Sequence, residues 1–373
     1  MKCIYCRSSG LIREPFFSGL RTVTSDSKPW RRGFEIVVCI QCGFPQAEVT
    51  REWQKSAEEI YDSYTSYYQT SDYDQTIFIG GATARRSELF AAAVLETCDT
   101  KTGGAVLDFG CGTGNLLRSF SNLRSDLKLF GFDLNNQQQN KLLTIHNFEK
   151  LIVGVLEEDL KFDLISMSHS LEHLTSPIET VKLLASLLNV NGCLAISVPD
   201  CPIDPFKLLI ADHCSHFSVT TLKIFLEQVG LQVVRIESRS ETRECWAICK
   251  PTKSNPDQAE LLPETLWIGE SIRWLNEVLN HAKSLAVAES FGLFGTSINA
   301  LWLYGELELD IDFFVDEDTT RIGKNLYGRP VVNPSEVLSG STVYMPLIPS
   351  LASKIATRLQ GRDIIWAVPP QVR

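Results

Sequence analysis

The sequence predicts an α/β protein. Its centre is a doubly wound parallel sheet, with a smaller Rossmann-like sheet after it and a zinc-binding region before it. Three observations carry this expectation. Apolar strand segments and amphipathic helical segments alternate from residue 81 to 250, the pattern of parallel βαβ units. A shorter alternation of the same kind follows a polar linker. Two CxxC pairs stand near the start, outside both alternations.

The bulk numbers agree with a soluble globular chain. Of 373 residues, 44% are hydrophobic and 21% charged, an ordinary balance for such proteins. The length suits two or three domains. The net charge is −10, with no basic stripe beyond Arg31–Arg32 and Arg85–Arg86. Nucleic acid is therefore not an expected partner, although a local basic pocket for a diphosphate stays open. No stretch reaches the roughly 18 consecutive apolar residues of a spanning helix. The start "MKCIYCRSSG" has no apolar signal core. A cytoplasmic protein with no membrane partner is the expectation. Its eleven cysteines are then reduced thiols rather than a disulfide framework.

The first region runs over residues 1–80. "CIYC" (3–6) and "CIQC" (39–42) each put two thiols at a tight turn. Together Cys3, Cys6, Cys39 and Cys42 supply four soft ligands, a set that suits one structural zinc. Four thiolates leave no open position, so the metal would serve folding rather than chemistry. The region closes on "YDSYTSYYQTSDYD" (61–74), which is either an aromatic packing surface or a hydroxyl-rich wall for a ligand.

The second region covers 81–250. "TARRSELFAAAVLETC" reads as an amphipathic helix. "AVLDFGCGTGN" (105–115) is a strand, a glycine-rich turn and a helix start. "LKLFGFDLN" (127–135) is a strand ending in an acid. "LIVGVL" and "FDLISMSHS" are further strands, "PIETVKLLASLLNVNG" is a helix closed by Gly192, and "CLAISVPD" is a strand. "TLKIFLEQVG" is the last helix, before the strands "LQVVRIES" and "ECWAICK". The third region, 251–373, begins with the linker "KPTKSNPDQAE" and a long amphipathic helix. Strand, small-residue turn, helix, strand and acid follow, as at the opening of the second region.

The glycine turn lies where open α/β sheets bind ligands, at a strand's carboxyl end. A G-x-G-x-G turn alone is weak evidence. Here Asp108 precedes the glycines and Asp133 ends the next strand. An acid in the second place suits ribose hydroxyls. The first acid would repel a pyrophosphate and favours a cationic ligand, such as the amino acid end of S-adenosylmethionine.

"VLDFGCGTG", "GFDLN" and "FDLISMSHSLEHLTSP" resemble the class I S-adenosylmethionine-dependent methyltransferases. The order of the three regions resembles the sugar C-methyltransferases of nucleotide-linked deoxysugar pathways. "CIQCGFPQ", "YTSYYQTS", "LEHLTSP", "VGLQVV" and "GRPVVNPSEV" carry that second likeness. The resemblance implies that Asp108, Gly110, Cys111, Gly112, Gly114, Asp133 and Leu134 hold the cofactor. Ser168 and His169 would then lie near the transferable methyl. Tyr64, Tyr67 and Tyr68 would form one wall for the acceptor, and Thr296 and Ser297 another. His169 and His173 could also be read as a metal pair at helical spacing, but with no third ligand nearby in sequence His173 reads rather as a helix-start residue packed near the sheet.

This chain departs from the C-methylating pattern. The relatives' Tyr-His-Glu-His falls on Ile210, Ala211, Asp212 and His213, and a later tyrosine falls on His216. The lysine of their Gly-Ala-Ser-Thr-Lys-Gly turn is absent from Phe294–Asn299. C- and O-methylation both stay open. The stretch "LIADHCSHFS" (209–218) should hang over the sheet's carboxyl edge, with Ser218 as a helix N-cap. His213 is the expected general base, Asp212 its orienting group, and His216 a substrate contact or alternate base. The expected function is transfer of a methyl group from S-adenosylmethionine to a sugar, nucleotide-linked by preference. Another small metabolite or a peptide is the alternative acceptor. A zinc-bearing scaffold with an inactive methyltransferase fold is the alternative of another class.

Overall fold

A computed structural model describes residues 2–62, 74–79, 82–252, 266–307, 310–361 and 363–372. The first elements are short. β1 (Leu11–Arg13), β2 (Ile36–Cys39) and β3 (Pro45–Ala47) form an antiparallel sheet in the order β1-β2-β3. Next comes α1 (Arg51–Asp62), which buries Trp53, Ser56, Ala57 and Ile60. Those positions recur at helical spacing, so one stripe faces inward. β4 (Thr76–Ile79) and β5 (Ala82–Arg85) make an antiparallel hairpin, and α2 (Arg86–Thr97) follows.

The central sheet is built from β6 (Ala105–Phe109), β7 (Lys128–Asp133), β8 (Phe148–Val153), β9 (Phe162–Ser168), β10 (Leu188–Pro199), β11 (Leu231–Arg239) and β12 (Glu244–Pro251). Four helices connect them: α3 (Asn115–Leu123), α4 (Gln139–Leu142), α5 (Pro177–Ser186) and α6 (Val219–Gln228). The strand order is β11-β12-β10-β9-β6-β7-β8. The chain winds outward from β6 to β8, then returns to the other side of β6 at β9. That reversal puts the topological switch point at the carboxyl ends of β6 and β9, where open α/β sheets bind their ligands. Leu164, Ile165, Met167, Ala195, Ile196 and Val198 are all fully buried, as expected for strands covered on both faces.

Two details differ from the sequence reading. β12 runs antiparallel to both β10 and β11. Only residues 240–243 separate β11 from β12, too few for the crossover that parallel neighbours need. The helix read up to Gly192 ends at Ser186, and Leu188 already pairs with Phe162 of β9. Asn189 donates through Nδ2 to Asp163 at 2.9 Å, which draws the chain onto the sheet before the helix can extend.

The last part begins with α7 (Leu266–Leu285). β13 (Phe291–Phe294), α8 (Ile298–Leu307), β14 (Phe313–Val315), β15 (Asn325–Leu326), β16 (Arg329–Val332), β17 (Thr342–Tyr344), α9 (Pro349–Leu359) and β18 (Ile365–Ala367) follow. The sheet order is β15-β16-β14-β13-β17-β18. It is parallel apart from the β15–β16 hairpin. This is the second Rossmann-like sheet. Phe206, carried on the turn Pro205–Leu209, wedges its ring against Trp274 at 5.2 Å and Trp302 at 5.8 Å. One apolar cluster therefore joins Phe17, Leu20 and Val23, the 206–210 segment, and helices α7 and α8. Residues 209–218 leave that junction directly.

Candidate functional site

The glycine turn between β6 and α3 is the first part of the site. Gly110, Gly112 and Gly114 have φ of +78°, +48° and +80°, a region L side chains rarely adopt. A Cβ on Gly110 would strike the Ser170 hydroxyl, whereas nothing lies within 4 Å of the Cβ position at Gly112. The backbone is thus closed on one side and open on the other. Gly110 and Cys111 both donate their N–H to Phe132 O, at 2.8 and 3.0 Å. Asp133 reaches back from the end of β7 and accepts the N–H of Gly112 at 3.0 Å and of Leu134 at 2.7 Å. Asp108 is buried and accepts from Ser166 Oγ at 2.8 Å. Burial pushes its carboxyl up to about 7, against the Ser166 bond and with help from the charge of Asp133. Two acids beside one open backbone cradle form a donor set suited to a ligand bearing both hydroxyls and positive charge. The residues present fit S-adenosylmethionine in that respect.

Cys111 contributes only main chain to this cradle. Its thiol packs beneath Gly131 in the apolar core. Leu134 stands exposed at the edge. Ser168 ends β9, and His169 follows in a left-handed conformation with φ +53°. The His169 ring lies between two buried glutamates, with Nδ1 3.2 Å from Glu172 and Nε2 2.5 Å from Glu244. Glu244 also accepts from Trp246 Nε1 at 2.7 Å and lies 3.5 Å from Arg86. Burial and Arg86 oppose a charge on His169, yet the two carboxylates raise its pKa. Glu172, Glu244 and Arg86 escaped the sequence reading. The acid inside "LEHL" and the Arg85–Arg86 pair were the available signals; Glu244 offered none.

Residues 209–218 form the second part. Ser218 caps α6, accepting the N–H of Thr221 at 3.1 Å. The segment before it is clamped on two sides. Cys214 and Ser215 donate their N–H to Glu172 O, at 2.7 and 3.1 Å. His216 N–H donates to Pro45 O at 3.2 Å, and Cys214 O accepts from Ala47 N–H at 2.9 Å. The loop before β2 and helix α1 close in as well. Ala211 N–H donates to Val23 O at 2.8 Å, and Trp53 Nε1 donates to Ala211 O at 3.0 Å.

Asp212 does not orient His213. Its buried carboxylate accepts Ser25 N–H at 2.9 Å and Ser25 Oγ–H at 2.6 Å, and lies 3.3 Å from His173 Nδ1. The same nitrogen is 3.1 Å from Asp212 O and 3.0 Å from the Tyr61 hydroxyl. Burial works against a charge on His173, but Asp212 and Glu172 lift its pKa to about 9. The His213 ring meets His173 edge-on, with centroids 4.7 Å apart, and its Nδ1 has no partner among the described residues. Burial, then the charge of His173, holds His213 well below the ordinary imidazole range. His216 is likewise buried with an unpartnered Nδ1, and burial brings it down to about 3. Both rings border a narrow crevice walled by Phe34, Trp53 and Ile210. Glu172, His173 and His213 offer ligand atoms within 4.8 Å of one another, a set able to hold a cation. His173 therefore belongs to a polar cluster and is more than packing at a helix start.

The remaining residues lie elsewhere. Cys3, Cys6, Cys39 and Cys42 bring their sulfurs within 4.8 Å of one another. Two of the S–S separations are 3.6 and 3.5 Å, near the ~3.8 Å edge of a tetrahedron with Zn–S of about 2.3 Å. The set fits zinc. Tyr64, Tyr67 and Tyr68 lie outside the described residues. Thr296 is buried, and its hydroxyl donates to Asp316 at 2.6 Å and accepts from Arg321 at 2.8 Å. Those two bonds use the hydroxyl's one proton and one of its two lone pairs.

A family model described as "Methyltransferase domain" matches residues 82–236. That span contains the glycine turn, Asp133 and all of the histidines just described. Residues 82–236 are a methyltransferase domain. It is of the S-adenosylmethionine-dependent class. The chain is 31% identical over 106 residues to a ubiquinone biosynthesis O-methyltransferase of Paraburkholderia phymatum. That match covers 26% of this chain and 44% of the relative, so the chain spans under half the length of that curated protein. Among solved structures, an S-adenosylmethionine-dependent methyltransferase of Clostridium acetobutylicum is 14% identical with a TM-score of 0.39, covering 53% of this chain and 98% of its own. The CcbJ methyltransferase of Streptomyces caelestis is 13% identical with a TM-score of 0.36, covering 44% and 88%. The described helices include none long and apolar enough to cross a membrane.

Proposed function

We propose that this protein transfers a methyl group from S-adenosylmethionine to a sugar, with a nucleotide-linked sugar as the preferred acceptor. One observation carries the reading. Ser170 closes the glycine cradle at Gly110, and three residues on, His173 meets His213. A cofactor cradle and a buried proton-handling cluster thus share one edge of one sheet.

The bound cofactor's sulfonium supplies an already activated methyl group. The chain must then position the acceptor and take one proton. Asp133, Asp108 and the Gly110–Gly114 backbone hold the cofactor. His213 is the general base, since it is neutral and has a buried Nδ1 without a partner. His173 with Asp212 forms a charged pair beside it, and His216 contacts the acceptor. Cys3, Cys6, Cys39 and Cys42 hold one structural zinc. The three-part order of the sequence supports the sugar. Ile210 and Ala211, standing where the C-methylating relatives have tyrosine and histidine, keep O-methylation in play. Similarity to an O-methyltransferase favours a second reading, O-methylation of another small metabolite.

The test has two arms. Calorimetry with S-adenosylmethionine should show binding at one site; no binding would favour a scaffold. Incubation with labelled cofactor and a panel of nucleotide sugars, read by mass spectrometry, should show a mass gain of one methyl group. Transfer only to non-sugar metabolites would overturn the sugar reading.

A further inference from the structure

We propose that the first cysteine turn positions the 212–216 segment, and that Tyr5 is the positioning residue. The inference rests on the reading of that segment as the acceptor side of the site. Tyr5 lies between the cysteines of "CIYC" and is almost fully buried. Its hydroxyl donates to Ser215 Oγ at 2.8 Å, a bond spanning 210 positions of sequence. Ser215 is 1% exposed, so no water can substitute for that partner without opening the structure.

The turn grips the segment at further points. Ile4 N–H donates to Gln46 Oε1 at 3.0 Å, and Gln46 itself pairs with Ser215 across an antiparallel bridge. Tyr5 stacks on Phe44 and meets Phe217 and Phe225 edge-on. Tyr5 N–H points at Cys3 Sγ at 3.4 Å, so the ring's orientation follows from the cysteine turn. On the opposite side Glu172 O takes the N–H groups of Cys214 and Ser215. The segment is therefore an irregular stretch held between β3, by one isolated bridge, and the residues bearing His173. His213 and His216 flank the Tyr5–Ser215 bond by two residues and one. A shift at Ser215 must move both imidazoles, whereas the glycine cradle shares no bond with Tyr5.

The experiment uses the full chain, labelled at histidine nitrogen, with Tyr5→Phe and Ser215→Ala as variants. The chain has six histidines, few enough to assign each imidazole. Both variants should shift the His213 and His216 signals and raise amide exchange at Cys214–His216 at least tenfold. Exchange in β6 and β7, metal content, and affinity for S-adenosylmethionine should stay within about twofold. The double variant should add nothing beyond either single one, as for two partners of one bond. If Tyr5→Phe does not fold, Ser215→Ala breaks the same bond from the other side. Unchanged His213 and His216 signals in the folded variants would overturn the proposal. So would exchange rising equally across the central sheet, since that describes general packing. A wild-type chain that binds no S-adenosylmethionine would sink the proposed function while leaving the Tyr5–Ser215 result readable.

Discussion

Asp212 directs its carboxylate to His173, 39 positions earlier, and leaves its sequence neighbour His213 without it. Two imidazoles at right angles are therefore pushed toward different protonation states, His173 cationic and His213 neutral. The carboxylates of Asp212 and Glu172 favour the charged form of His173. Burial and that adjacent charge keep His213 neutral. Environments that drive two like groups apart are a recurring way of dividing acid and base roles.

On the proposed reading, His213→Ala lowers turnover by roughly a hundredfold or more, the usual scale of losing a general base. Affinity for S-adenosylmethionine stays nearly unchanged. Because the His213 pKa is depressed, the neutral base persists on acidification, and its acid limb should fall below the ordinary imidazole range. Turnover that survives His213→Ala and drops with His216→Ala or His169→Ala would reassign the base.

His173 supplies a pH test of stability. Its folded pKa of about 9 lies above the unfolded value of about 6.5. The charged form is favoured by folding, so this contribution is complete below about pH 6.5 and is lost as pH rises through about 9. Asp212→Asn should weaken that dependence, leaving the part owed to Glu172, and cost about 3–5 kcal/mol at neutral pH, the scale of breaking a buried pair. Denaturant melts of wild type and variant should converge toward pH 9. A gap that stays constant with pH would show that His173 is not the linked group.

The central sheet and its cradle were legible because their signals are local. "VLDFGCGTG" joins a strand, positive-φ glycines and a helix start within a dozen residues, and Asp133 ends the next strand. The thiol turns are equally local, and Ser218 as a helix cap needs only three further residues. What stayed hidden depends on long-range contact. Asp212 chooses His173 over His213 because β9 and the 209–218 segment meet in space. Glu244 reaches His169 only because β12 reverses direction. The bonds of Thr296 to Asp316 and Arg321, 20 and 25 positions away, are long-range in the same way.

Asp133→Ala should weaken S-adenosylmethionine binding by about ten- to a hundredfold, the worth of roughly 1.5–3 kcal/mol for hydrogen bonds to a charged acceptor. The structure adds a second route to the same loss. Asp133 accepts the Gly112 N–H, so alanine also loosens the turn that faces the ligand. Asp133→Asn retains an acceptor for Gly112 and should lose less. Equal dissociation constants for wild type and Asp133→Ala, by calorimetry, would mean that the cofactor lies elsewhere.

Metal removal gives the last prediction. Purified protein should contain one zinc per chain, and Cys39→Ser should abolish it. Cys39 is fully buried in the same cluster as Trp53, Leu107 and Ile165, so the loss reaches the methyltransferase core. Folding free energy and metal binding are coupled at such thiolate sites. The substitution should therefore lower the melting temperature and soluble yield far more than it lowers cofactor affinity in the fraction that stays folded. Chelation should do the same in wild type, and added zinc should restore it. Protein with no zinc and four freely titrating thiols, yet a full melting temperature, would remove the metal from this account.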